Sequence, residues 1–317
     1  MSRVATSRAV LGLVGITIVY LAALAWIDSR GVLQRVTSEL SGLVAVVSGV
    51  ALMSWLIRFL RWHRLMRRAG VRVPYGRALM AYLAGFAFTA TPGKVGELVR
   101  IRYFEPLGAD PGMVVGLFLY ERCLDLIAIL LLAALAAGQF GAFHVAITFV
   151  LVVVAAVMAA GARPAWLRRS RVWLVGRGLG RVTEVLDVLA SGLEEARRWL
   201  NVRDVAVSLG LGLSAWGGLA VGFAWLLRET GIEVPTTIAL AVYPLATLVG
   251  AASMLPGGIG TTEAAIVSLL MLHQAPFDAA MLVAVASRVA TLWTAVAVGL
   301  VCLWTLEAMR GRLDRPH

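Results

Sequence analysis

Runs of roughly eighteen or more apolar residues recur along this chain, and that is the length a helix needs to cross a hydrocarbon layer. Residues 9–27 form the first run, and residues 40–60 form the second, which ends in a cluster of arginines. Residues 113–137, 143–162, 205–227 and 279–306 supply further spans. The first run follows Arg3 and Arg8, as a secretory signal would. Its apolar part exceeds the ~7–15 residues of a cleaved signal core, so a retained helix is expected. Two stretches break the pattern. Residues 78–90 are apolar and then meet Thr91-Pro92-Gly93-Lys94-Val95-Gly96-Glu97. Residues 238–255 are apolar and then meet Pro256-Gly257-Gly258-Ile259-Gly260-Thr261-Thr262-Glu263, with only a short apolar piece, 264–272, behind them.

Charge decides how these segments thread the membrane. Hydrophobic residues make up 60% of the chain and charged ones 15%, against roughly 45–50% and 25% in a soluble domain. That excludes an ordinary soluble globule and a disordered chain. A net charge of +11 would suggest nucleic acid in a soluble protein. Here the cations sit in loops, which is the positive-inside pattern, so no nucleic-acid partner is expected. The stretch 61–77 holds Arg61, Arg64, Arg67, Arg68, Arg72 and Arg77 and no acid. The stretch 163–204 holds nine arginines against five acids, and the tail holds Arg310, Arg312 and Arg315. These read as cytoplasmic. The loops 28–39, 138–142 and 228–233 carry no basic excess and read as external.

Parity then constrains the two broken stretches. If residues 78–99 crossed fully, the arginine-rich 163–204 segment would fall outside. If they dip in and return, every basic loop falls inside. The same holds for 238–272 entering from the other face. The expected fold is an all-α polytopic membrane protein with about six full transmembrane helices plus two re-entrant helical hairpins, and both termini cytoplasmic. The whole chain, 1–317, reads as one integral membrane domain in the cell membrane. Repeat half one covers about 40–137, a basic cytoplasmic loop with an amphipathic helix covers 163–204, and repeat half two covers about 205–306.

The halves resemble each other. Each break contains Pro-Gly-x-x-Gly followed by a glutamate, and Glu97 to Arg122 and Glu263 to Arg288 are both 25 positions. Opposite sidedness makes this an inverted repeat, and paired Gly/Pro interruptions point to a transporter's midplane site. Proline suits a helix start and glycine a tight turn, so each break is expected to open a half-helix whose free N–H groups attract an anion, phosphate above all. The alternative is a pair of structural kinks. Ions inside a span cost at least ~2.5–3.5 kcal/mol unless paired or hydrated, which singles out Glu97, Glu121, Arg122, Asp125, Glu263 and Arg288. Arg122 and Arg288 suit phosphate oxygens, and Lys94 does so as a flexible point charge. Glu97 and Glu263 are expected to neutralise those arginines, touch the headgroup or carry a proton. Asp125 lies one turn from Arg122, so that pair can equally tie helices together.

The blocks Thr91–Glu97, Glu121-Arg122-x-x-Asp125 and Leu255–Ala264 resemble the signature blocks of the lysylphosphatidylglycerol synthase transmembrane, or flippase-like, family. The resemblance covers nearly the whole chain. It implies a membrane domain that moves lipids or lipid-linked headgroups between leaflets. In the bifunctional multiple peptide resistance factor such a domain is joined to a soluble aminoacyl-transferase, and no such domain is expected in this sequence. Lys94 and Glu97 match the first block residue by residue, whereas Thr261-Thr262 departs from the second.

Smaller features complete the reading. Val175, Leu179, Val182, Leu186, Leu189, Leu193, Ala196 and Leu200 form an amphipathic stripe that is expected on the bilayer surface or against the bundle. Gly218-x-x-x-Gly222 fits a close helix contact. Trp26, Trp62, Trp166, Trp225 and Trp304 read as interfacial anchors. Gly93-Lys94 is no P-loop, because Val95 stands where a Ser or Thr would. Cys123, Cys302 and four scattered histidines offer no disulfide framework, metal site or cofactor. The sequence thus reads as a lipid flippase or scramblase with no catalytic residue. Its substrate-binding set is Pro92, Gly93, Lys94, Gly96, Glu97, Glu121, Arg122, Asp125, Pro256, Gly257, Gly258, Gly260, Glu263 and Arg288. The expected partner is a phospholipid or lipid-linked, polyprenyl-phosphate type anion, with a homo-oligomer or separate synthase as further partners. The alternatives are an intramembrane enzyme or a synthase-associated scaffold.

Overall fold

A computed structural model of the chain describes residues 31–138, 141–162 and 180–313. The expected first span and the beginning of the amphipathic stretch lie outside the described residues, as does Arg315 in the tail. Among the described residues every regular element is helical. A short helix, α1 (Val32–Ser38), leads into α2 (Ser41–Arg68). After it come α3 (Tyr75–Ala84), a tight helical turn Gly85–Phe88, the first break, and a helical stretch from Pro92 to Leu107. Then follow α4 (Pro111–Ala133), α5 (Ala142–Ala162), α6 (Gly180–Ala196), α7 (Val202–Glu229), α8 (Thr236–Ala252), the second break, α9 (Thr261–Met271), α10 (Phe277–Arg288) and α11 (Thr294–Leu313). A π-turn, Val289–Trp293, joins α10 to α11.

Among the described residues three helical runs are long and apolar enough to cross a membrane: Ser41–Arg68, Val202–Glu229 and Phe277–Met309. Phe143–Ala159 and Thr236–Ala252 are apolar but shorter. α2 runs to Arg68, so the expected loop at 61–77 begins later than its charges suggest. The helix continues because Arg58 and Arg61 are buried and held by carboxylates of α4. An arginine in an apolar run need not end the span if its charge is met inside the bundle.

Element order repeats along the chain. α2 and α7 are both 28-residue helices, and they pack along each other. Each is followed by a hairpin with a Pro-Gly break and then by a helix carrying buried charge. The arms of each hairpin pack on one another. The return arm α9 has 11 residues, roughly 16 Å of helix against a hydrocarbon core of about 30 Å. The two breaks then meet each other in the middle of the fold: Gly257 lies against the Ala90 backbone, and Gly93 lies beside Met254.

Close packing holds the hairpins and the long helices together. At Gly299 on α11 there is no room for even one added carbon, because the backbone of Phe86 and Ala87 abuts it. Gly222 faces Val50 on α2, the contact expected of the Gly218-x-x-x-Gly222 pattern. α6 packs on α4, with Gly192 against Val115 and Gly116. Of the two expected positions for the amphipathic stripe, the described part takes the one against the bundle. Trp62 departs from its reading as an interfacial anchor. It is buried, its N–H meets the Met66 sulfur at 3.0 Å, and its ring lies 5.3 Å from the Arg100 guanidinium. Trp304 is exposed, as an anchor would be, while Trp26 and Trp166 lie outside the described residues.

Candidate functional site

The breaks are built from backbone that only special residues adopt readily. Pro92 opens a tight helical stretch in which Gly93 (φ 59°) and Lys94 (φ 57°) are both left-handed. Pro256 opens the other, and Gly257 (φ 61°) is left-handed there too. Glycine takes that conformation without penalty, and lysine does not. A strained lysine at a break is the kind of outlier that clusters at functional sites.

Several amides of the turns at the breaks are used internally, while α9 starts at Gly260 with no side-chain cap. The Lys94 N–H donates to the Thr91 carbonyl at 2.9 Å, and the Gly96 N–H donates to the Thr91 hydroxyl at 2.8 Å. The Gly258 and Ile259 N–H groups donate to the carbonyls of Leu255 and Pro256. The return arm α9 starts after Gly260 and not at Pro256. Tight turns satisfy their own donors, so the charge available at the breaks comes from side chains.

Those side chains form a dense network in the first half. Arg58 and Arg61 project from α2 one turn apart, and Glu121, Arg122 and Asp125 project from α4. Arg61 Nη2 lies 2.7 Å from Asp125 and 3.2 Å from Glu121. Arg58 Nη2 lies 3.0 Å from Asp125 and 3.4 Å from Glu121. Arg122 reaches the same two acids at 3.3 and 3.4 Å. Tyr82 donates its hydroxyl to Glu121 at 2.7 Å. Glu97 is fully buried, 3.0 Å from Arg100 and accepting from the Thr89 hydroxyl at 3.0 Å. Arg100 is sandwiched among Tyr82, Trp62 and Phe86 and donates Nε–H to the Tyr82 carbonyl.

The second half is sparser. Arg288 Nε donates to Glu263 at 3.1 Å, and its Nη2 donates to the Gly257 carbonyl. The matched spacing of 25 therefore becomes a direct contact in this half. In the first half Glu97 pairs with Arg100 instead of Arg122. The π-turn begins directly after Arg288, and such bulges are frequent at functional sites.

A cavity of about 420 Å³ lies between the two breaks. Of the expected site residues it brings together Gly93, Lys94, Arg122, Asp125, Gly257, Gly258 and Arg288. Glu97, Glu121 and Glu263 hold the arginines without lining the cavity, and Pro92, Gly96, Pro256 and Gly260 shape the breaks from outside its wall. Sequence reasoning missed Arg58 and Trp216, which line it, and Arg61 and Arg100, which support it. Arg58 and Arg61 carried a signal, two arginines one turn apart in an apolar run; Trp216 in the middle of a span carried none. The Arg58 guanidinium sits 5.5 Å from the Trp216 ring, and Lys94 Nζ sits 6.0 Å from it. The rest of the lining includes apolar side chains: Phe118 and Ile129 of α4, and Phe149, Val153 and Val157 of α5, with the Phe118 ring 5.6 Å from the Arg122 guanidinium. The cavity thus combines cations with apolar lining, suited to an amphipathic anion.

Comparison with known proteins extends this picture. The family model described as "Lysylphosphatidylglycerol synthase TM region" matches residues 10–299. A "UPF0104 membrane protein" of Methanothermobacter thermautotrophicus is 27% identical over 103 residues, covering 32% of this chain and 31% of that protein. The chain thus aligns with under a third of that relative's length.

Proposed function

Since the chain belongs to the lysylphosphatidylglycerol synthase transmembrane family, we propose that it moves an anionic lipid headgroup between the leaflets of the cell membrane. The observation that carries this reading is one cavity lined by both breaks, by Arg58, Lys94, Arg122 and Arg288, and by many apolar side chains. A headgroup would meet the cations while its tails stay along the apolar lining. The repeated element order supports an inverted repeat of six full spans and two re-entrant hairpins. In that topology the first hairpin enters from the cytoplasm and the second from outside, and both termini are cytoplasmic. Rocking of the halves around the touching breaks would expose the cavity to one face and then the other. Glu97 holds Arg100 behind the lining, and Glu263 holds Arg288 within it.

Reconstitution in liposomes with fluorescent lipids tests the reading. Transport predicts that wild-type protein speeds exchange between leaflets and returns the lipid chemically unchanged by mass spectrometry. Chemically altered lipid with no exchange, for every lipid class tried, would overturn it in favour of an intramembrane enzyme.

A further inference from the structure

The charges around the cavity do not balance. In the first half four arginines, Arg58, Arg61, Arg100 and Arg122, share only three carboxylates, Glu97, Glu121 and Asp125. Lys94 adds a further charge, and among the described residues no carboxylate pairs with it; its neighbour is the Trp216 ring. In the second half Arg288 and Glu263 cancel. Among the described residues, the groups that line and back the cavity therefore hold two more positive charges than negative ones, in a place where unmet charge is expensive. The excess sits at one end, beside Lys94, Arg58 and Arg122. Buried donors remain open there. Arg58 Nε, Arg122 Nε and the Trp216 indole N–H have no hydrogen-bond acceptor among the described residues. Trp216 is only 5% exposed and lines the cavity.

Among the described residues no complementary feature awaits a cationic headgroup. Asp125 is the carboxylate that lines the cavity, and it is already shared by Arg58, Arg61 and Arg122. The Trp216 face that would hold a quaternary ammonium already carries Arg58 and Lys94.

From this imbalance we infer that the site selects a phosphate dianion, a lipid phosphomonoester, held by Lys94, Arg122 and the Trp216 N–H. A zwitterionic phospholipid leaves both excess charges unmet, an anionic phosphodiester leaves one, and a phosphomonoester leaves none. The inference rests on the cavity being the headgroup site, and it narrows the substrate of that site. Arg288 also lines the cavity, with its Nε and Nη2 held by Glu263 and the Gly257 carbonyl.

The test is binding in phosphatidylcholine nanodiscs, titrated with polyprenyl monophosphate, phosphatidic acid, phosphatidylglycerol and inorganic phosphate. Both monoesters should bind at least about tenfold tighter than phosphatidylglycerol at pH 7.5, which is one further ionic contact at about 1.4 kcal/mol per tenfold. A phosphomonoester loses its second charge near pH ~6, so a tenfold preference should shrink by about threefold between pH 7.5 and pH 5.5. The groups facing the phosphate are Lys94 from the break, Arg58 from α2, Arg122, Cys123 and Asp125 from α4, Tyr243 from α8 and Arg288 from α10. Phosphatidylglycerol, whose charge is constant over this range, reports any change on their side. Lys94→Gln should abolish the preference and Lys94→Arg should keep it. Trp216→Phe keeps the ring but removes the N–H, and it should weaken monoester binding with an unchanged melting temperature. Equal affinity for phosphatidylglycerol and the monoesters at both pH values would overturn the inference. Inorganic phosphate binding as tightly as the lipids would reassign the site to the free ion. Exchange of lipids without a monoester preference would remove this inference and leave the transport reading. Monoester binding without exchange would do the reverse.

Discussion

Glu121 is approached by four arginines and Asp125 by three, which makes these two acids the charge centre of the first half. Removing one partner of a buried pair leaves a bare charge and costs roughly 3–5 kcal/mol. Asp125→Ala should therefore lower the melting temperature of the detergent-solubilised protein sharply, and the loss should exceed that from Lys94→Gln by several kcal/mol. Among the described residues no carboxylate pairs with Lys94, so its loss should leave stability within about 1 kcal/mol of wild type while lowering exchange. Equal destabilisation by the two changes would show that Lys94 is structural. At this scale the sequence was partly legible. The intramembrane acids announced themselves because nothing else explains charge in an apolar run. Their partners did not, because Arg61 and Asp125 are 64 positions apart and no spacing rule links them. Arg58 and Arg61 also sit near a basic loop, where the positive-inside rule absorbs them.

At the scale of elements, the hairpins depend on approach distances that side chains would forbid. Gly299 lets α11 touch the Gly85–Phe88 turn, with the Ala87 nitrogen nearer than any added carbon could tolerate. Gly299→Val should cost about 1–3 kcal/mol or more by overpacking, read as a lower melting temperature. Gly217→Ala, where nothing lies within 4 Å, serves as the neutral control. An unchanged melting temperature for Gly299→Val would mean that the first hairpin does not rest on α11. The breaks themselves were visible in the sequence as Pro-Gly interruptions, since few other residues signal a stop inside an apolar segment. Their detail was not. Which amides are free depends on turns such as Thr91 accepting from Gly96, a five-residue contact that periodicity does not encode.

Across the whole molecule, the order of long helix, broken hairpin and charged helix occurs twice, and the breaks of the two halves touch. This order was legible because apolar length and arginine placement act along the chain, one segment at a time. The imbalance of charge around the cavity was not, because it depends on counting partners that only the fold brings together. Topology has its own check. A cysteine at Gly108, on the exposed turn after the first hairpin, should resist impermeant thiol reagents in intact cells and react once the membrane is opened. Labelling from outside would contradict a first hairpin that returns to the cytoplasm.

If the cavity between the breaks is the path of a lipid headgroup, its cations govern the rate of leaflet exchange. That rate can be measured in liposomes carrying wild type, Lys94→Gln or Arg288→Ala at equal protein content. Fast exchange is expected for wild type and loss of at least about tenfold for both variants, provided each retains its fold by melting temperature. Full exchange in folded variants at both positions would contradict it.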